Sequence, residues 1–164
     1  MKRIVALAIV LFALGSSTLA AGDISVTIDT SKQGQIKTQA KEFRYSQSPR
    51  DMATGQASGR RMARQSNEPI VVVKEVDKTS PFFVQAAAKG ELLPAVLFEF
   101  TRRGSDGKTE VYQTVRLTNA LISSVHMLNG GDRPMQEISF TFQKIEYEHK
   151  QGKTAAADSW MLRP

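Results

Sequence analysis

Along most of the chain, apolar residues fall at every second position. That spacing commits the backbone to strands, because successive strand side chains point to opposite faces. Ile24, Val26 and Ile28 alternate with Ser25, Thr27 and Asp29, the pattern of a strand with one buried face. Ile36 to Tyr45 repeats it more weakly. Pro69 then opens Ile70, Val71, Val72 and Val73, a β-branched run expected in a central strand covered on both faces. Leu92 to Arg102 carries Val96, Phe98 and Phe100 on one face, Ser105, Asp106 and Gly107 make a turn, and Glu110 to Thr118 resumes with Val111, Val115 and Leu117, which predicts a hairpin. Leu121 to Met127 continues the sheet, Gly130 to Pro134 breaks it, and Ile138, Phe140 and Phe142 alternate in a last long strand. At Ile145 and Tyr147 the apolar phase slips by one, which predicts either a bulge or a strand that offers those two residues to another surface.

One helix interrupts the strands. Ser80 is placed to cap it, Pro81 sits where a missing N–H costs nothing, Lys89 suits the C-terminal dipole and Gly90 can take the left-handed cap. Phe82, Phe83, Ala86 and Ala87 form its apolar stripe. The fold class expected is therefore mainly β: a small antiparallel β-barrel or two-sheet sandwich with one flanking α-helix.

Before the first strand, Met1, Lys2 and Arg3 precede an apolar run from Ile4 to Leu14, and small residues follow through Ala21, the order of a secretory signal peptide. Thr18 and Ala20 occupy the positions before a cut, so residues 1–20 are expected to be removed after Ala20, leaving one domain over 21–164. A bilayer span needs roughly 20 apolar residues, so no membrane attachment is expected after cleavage. With the leader gone, the 22 basic residues fall by two against 16 acidic ones. That surplus of four is concentrated in Arg44, Arg50, Arg60, Arg61 and Arg64, opposed only by Asp51. The segment 47–67 that holds most of them is rich in Ser, Gly, Gln and Ala and has no aromatic residue to stack on a base. It reads as an extended solvated loop, and nucleic acid is not the expected partner.

The chemical inventory is thin. The chain has no cysteine, which excludes disulfides, thiolate metal sites and thiol nucleophiles, and its two histidines, His126 and His149, are too few for a three-histidine metal centre. Asp77 and Ser80 have no nearby histidine in sequence and read as a turn and a cap. Glu146 and Glu148 share a strand face and read as solvated carboxylates, His126 as a partly buried structural residue, and Trp160 as a packing residue at the C-terminal end. Gly55 and Gly59 lack the Gly-Lys-Ser/Thr of a phosphate loop. No catalytic residue, cofactor or metal is expected.

The segment Glu68-Pro-Ile-Val-Val-Val-Lys-Glu-Val-Asp-Lys-Thr-Ser-Pro-Phe-Phe-Val-Gln-Ala, ending at Ala86, resembles the central motif of the haemolysin-coregulated protein (Hcp) family, the tube subunit of bacterial type VI secretion. Met135 to Tyr147 is similar to that family's late strand, and Asp158-Ser159-Trp160 to its C-terminal end. The resemblance implies a small β-barrel with a flanking helix, a non-enzymatic subunit that closes into a six-membered ring, rings that stack into a tube, and effector proteins carried in the lumen. It also implies that loop 47–67 contacts neighbouring subunits. The interface residues expected are Arg60, Arg61 and Arg64 in that loop and, from the phase slip, Ile145 and Tyr147. With the leader, the chain is expected to be exported, to the periplasm or the medium. The alternative is a stand-alone exported module that keeps the fold and uses the basic loop for an anionic partner.

Overall fold

The alternation resolves into antiparallel ladders. The computed structural model describes residues 24–46, 68–129 and 131–159. In chain order these hold β1 (Ile24–Thr30), β2 (Gly34–Ala40), β3 (Glu42–Arg44), β4 (Ile70–Glu75), helix α1 (Ser80–Lys89), β5 (Leu93–Arg103), β6 (Thr109–Leu128), β7 (Met135–Thr141), β8 (Lys144–His149) and β9 (Thr154–Ser159). The hydrogen-bonded path runs β2-β1-β5-β6-β7-β4-β3, and β8 joins β6 to β9. The expected mainly β fold with one helix is present. The barrel half of that expectation is corrected, because no ladder among the described residues closes the sheet. The path ends in β2 and β3, consecutive in the chain on either side of Lys41, and β2 bonds β1 while β3 bonds β4. What was expected as one strand from Ile36 to Tyr45 is these two short ones.

Both ladders face a single core. Phe98 of β5 lies 5.1 Å from Phe43 of β3 and 6.0 Å from Phe140 of β7, ring centre to ring centre, in edge-on contacts. Ile24, Val26 and Ile28 are buried as their alternation requires, and Ile70, Val72 and Val73 are buried in β4, which is paired on both sides. Helix α1 turns Phe82, Phe83 and Ala86 inward. Gly90 ends it at φ 59°, where a side chain would be strained, and its N–H bonds the Ala87 carbonyl at 3.2 Å. At the other end the expectation is corrected. The N-cap is Thr79, which makes no side-chain cap bond, and Ser80 is the first helical residue, its hydroxyl engaged elsewhere.

The phase slip marks a bend. Leu121 to Met127 is not a separate strand but the second half of β6, 20 residues long, which pairs with β8 as far as Thr118, with β5 as far as Ala120 and with β7 from Leu121 onward. Asn119 sits at φ 50°, and its side-chain amide donates to Gln143 at 2.9 Å across the hairpin. Register is continuous through the bend, Thr118 opposite Lys144 on one side and Leu121 opposite Thr141 on the other. Both strands turn two successive residues outward and resume with opposite parity. Ile145 is thereby turned into the core, 1% exposed and opposite fully buried Leu117, so it is not offered to another surface. Strand β9 carries no hydrophobic alternation and was not expected at all.

Candidate functional site

The densest polar chemistry among the described residues sits where the sheet fails to close. Lys74 follows Ile70 and Val72 on the inward face of β4 and is fully buried. Its Nζ donates to the Glu75 carbonyl at 2.7 Å, to Asp77 Oδ1 at 2.9 Å and to Ser80 Oγ at 3.3 Å, which occupies all three ammonium hydrogens. The ammonium also lies 5.5 Å from the centre of the Phe83 ring. Asp77 Oδ1 in turn accepts from the Thr79 N–H at 2.8 Å and the Thr79 hydroxyl at 2.6 Å, and Oδ2 accepts from Thr38 Oγ1 of β2 at 2.9 Å. Ser80 Oγ accepts the Asp77 N–H at 3.0 Å. Burial pushes the Asp77 carboxyl up, but the hydrogen bonds from Thr79, Lys74 and Thr38 outweigh it and hold the group well below the usual carboxylate range.

This cluster bridges β2 to β4 across the open seam. Beside it the Lys41 N–H donates to the Val73 carbonyl at 2.8 Å, and the Lys41 ammonium pairs with Glu75 at 3.6 Å. Gln136, opposite Lys74 on β7, is also fully buried, and neither polar atom of its amide meets a protein partner. Lys74 is the residue that sequence reasoning passed over. A lone lysine after four β-branched residues looks like the end of a strand, and the only signal for its burial was the Asp77 and Ser80 three and six positions on. Ser80 has no imidazole beside it to take its proton, and its hydroxyl is bound to an ammonium and a backbone N–H. The cluster therefore closes the sheet and does not activate a nucleophile.

The expected interface residues divide. Arg60, Arg61 and Arg64 lie outside the described residues, as do Gly55, Gly59, Trp160 and the leader with its expected cut after Ala20. Arg44 is committed to Glu137 at 2.6 Å. Tyr147 is half-buried, its ring 6.0 Å from that of Tyr45, which in turn lies 6.2 Å from Phe142. These contacts pin the root of segment 47–67 to β8. Burial, with a smaller contribution from Tyr45, pushes the Tyr147 hydroxyl far above its ordinary value; burial and the Asp158 carboxylate raise Tyr45. On the outer face of β5, β6 and β8, a shallow depression of about 700 Å³ is lined by Glu99, Arg116, Glu146 and Glu148 and floored by Leu97. Glu146 pairs with Lys144 at 2.7 Å and Glu148 accepts weakly from Thr114 at 3.4 Å, the solvated carboxylates expected. His126 is exposed, not partly buried. Among the described residues no group of three His, Cys, Asp or Glu could hold a metal ion, and no helix is long and apolar enough to cross a membrane.

The fold is a mainly β antiparallel sheet with a single helix, its open seam bridged by the Lys74–Asp77 cluster. The chain belongs to the family described as type VI secretion system effector, Hcp, whose family model matches residues 22–149. It is 32% identical over 120 residues to the Major exported protein of Pseudomonas aeruginosa, an alignment covering 68% of this chain and 67% of that one. The solved structure titled "Crystal structure of Hcp protein" superposes with a TM-score of 0.73 at 23% identity, covering 87% of this chain and all of that one. The secreted protein Hcp3 from Pseudomonas aeruginosa superposes with a TM-score of 0.72 at 22% identity, over 86% of this chain and 99% of that one. At those identities the two structures share the fold.

Proposed function

We propose that this chain is a non-enzymatic tube subunit of a type VI secretion system, six copies closing head to tail into a ring, and that it is itself exported. The observation that carries the reading is the family match over residues 22–149, which spans the seam and all but the last described strand. Two features of the fold support it. Strands β9, β2 and β3 stand at sheet edges, and proteins protect such edges by pairing or covering them. A head-to-tail ring also needs two different patches on each subunit, which separate edges supply. Arg60, Arg61 and Arg64 of segment 47–67, together with Tyr147, are the side chains proposed to meet a neighbouring subunit. Ile145 is not among them, because it belongs to the core. Stacked rings would enclose effector proteins, and the export signal over residues 1–20 would be cut after Ala20, in keeping with the relative's name as an exported protein.

Sedimentation velocity of the exported protein at micromolar concentration tests this, with N-terminal sequencing of the same material. The expected result is a six-subunit species beginning at Ala21. A protein that stays monomeric up to its solubility limit defeats the ring. That outcome would favour the second reading, a stand-alone exported module, which rests on the surplus of four positive charges between Arg44 and Arg64.

A further inference from the structure

The buried amide of Gln136 meets no protein partner, and it stands beside the buried ammonium of Lys74. We propose that Gln136 is a standby acceptor for Lys74: with Asp77 in place the ammonium bonds the carboxylate, and when Asp77 leaves, the ammonium turns to Gln136 Oε1. The seam then has a second bonded arrangement to fall back on.

The ladder sets the placement. Lys74 of β4 and Gln136 of β7 are directly opposite each other. Both continue the inward row of their strands, Lys74 two residues after buried Val72 and Gln136 two residues before buried Ile138, and both are 0% exposed. Side chains opposite each other in an antiparallel pair have Cβ atoms about 5 Å apart, so two long ones on the same face reach each other's polar ends. On the other side of Gln136 the ladder partner is Met127 of β6, which brings only a thioether.

The count of bonds fits an exchange. Without Asp77, Lys74 Nζ keeps the Glu75 carbonyl and Ser80 Oγ and loses one acceptor of its three. Gln136 Oε1 supplies one. A fully buried ammonium has no bulk solvent to turn to instead, and the Phe83 ring 5.5 Å away offers it only a π face. Asp77 is the member able to leave, because its side chain is 39% exposed while that of Lys74 is 0% exposed.

Two orphaned polar atoms in a closed seam are a cost, and an apolar side chain of the same shape would remove it. The amide is of use only in the displaced arrangement, where it makes a charge-assisted bond. Gln136 thereby narrows the gap between the two arrangements. A neutral amide replaces part of what the carboxylate supplied, so losing Asp77 still costs stability, but less than it would with no second acceptor.

A double-mutant cycle on the full chain, read by urea unfolding, tests the proposal. Gln136→Met keeps the length of the side chain and offers no oxygen. Alone, it should leave the unfolding constant unchanged or lower it. A rise would mean that the amide is already bonded in the closed seam, through water, and overturns the proposal. Asp77→Ala should raise the unfolding constant about tenfold more in the Gln136→Met background than in the wild type, in keeping with a hydrogen bond to a charged group. A double variant that does not fold while Asp77→Ala does is the extreme of the same result. With Lys74→Met also present the coupling should vanish, which separates a shared ammonium from packing. In the structure of Asp77→Ala, Lys74 Nζ should lie within hydrogen-bond distance of Gln136 Oε1. Equal effects of Asp77→Ala in both backgrounds, a coupling that survives Lys74→Met, or an Asp77→Ala protein that fails to fold with Gln136 in place overturns the proposal.

Discussion

The seam between β2 and β4 and the hairpin of β8 and β9 attach strands by opposite means. At the seam no backbone ladder exists, and the connection is made by side chains: a fully buried lysine, a carboxylate with four donors and a threonine from 39 residues away. At the hairpin the ladder is complete, with six consecutive pairs, and no side chain of β9 is buried. Taking the partner from a fully buried ammonium is costly, because that charge is left without it, even though Asp77 itself is exposed, whereas an exposed ladder opens for little more than the exchange of protein for water hydrogen bonds. Stability should therefore concentrate at the seam and local opening at the hairpin.

Three substitutions would break or sharpen this contrast. The largest effect is expected where β8 meets the core. Ile145→Asp buries a charge opposite Leu117 and should remove more than about 4 kcal/mol, enough to abolish the cooperative thermal transition seen by circular dichroism. A variant that melts like the wild type would refute the inward course of β8 through the bend at Asn119.

Next comes the seam. Asp77→Ala strands the Lys74 ammonium and should lower the stability measured by urea unfolding by about 3 kcal/mol. Because hydrogen bonds hold the Asp77 carboxyl below its ordinary value in the folded protein, its contribution is fully present above about pH 4 and is lost as the pH falls through the depressed folded value. Wild-type stability should thus decline steeply in acid, and the variant should decline less. Parallel acid limbs would show that Asp77 is not the group that closes the seam.

The smallest effect belongs to the edge. Ala156→Pro disturbs the ladder opposite Tyr147 and should change global stability by no more than about 0.5 kcal/mol, while residues 154–159 exchange their amides freely. A loss comparable with that of Asp77→Ala would mean that β9 carries the fold after all.

Much of this architecture was legible without coordinates. Ile24, Val26 and Ile28, the β-branched run Ile70 to Val73 and the turn at Gly107 each declare themselves locally, because burial of alternate residues and the left-handed requirement of a glycine depend only on neighbours in the chain. The same holds for Pro81 and Gly90 at the ends of α1. The family motif around Lys74 to Pro81 was equally visible, but its physical role was not.

The sequence by itself determined the strands that alternate, the place of the single helix and its stop at Gly90, and which family the chain resembles, since all three are written in short-range pattern. Tertiary structure decided the rest. Lys74 is buried only because the helix entry brings Ser80 and Asp77 over it and Thr38 reaches Asp77 from another strand, a coincidence no window on the chain contains. Ile145 points inward because Asn119, on the partner strand, bends the hairpin and shifts both strands together. Strand β9, with three successive alanines, has no pattern of its own, and it is a strand because the edge of β8 supplies the hydrogen bonds its side chains cannot specify.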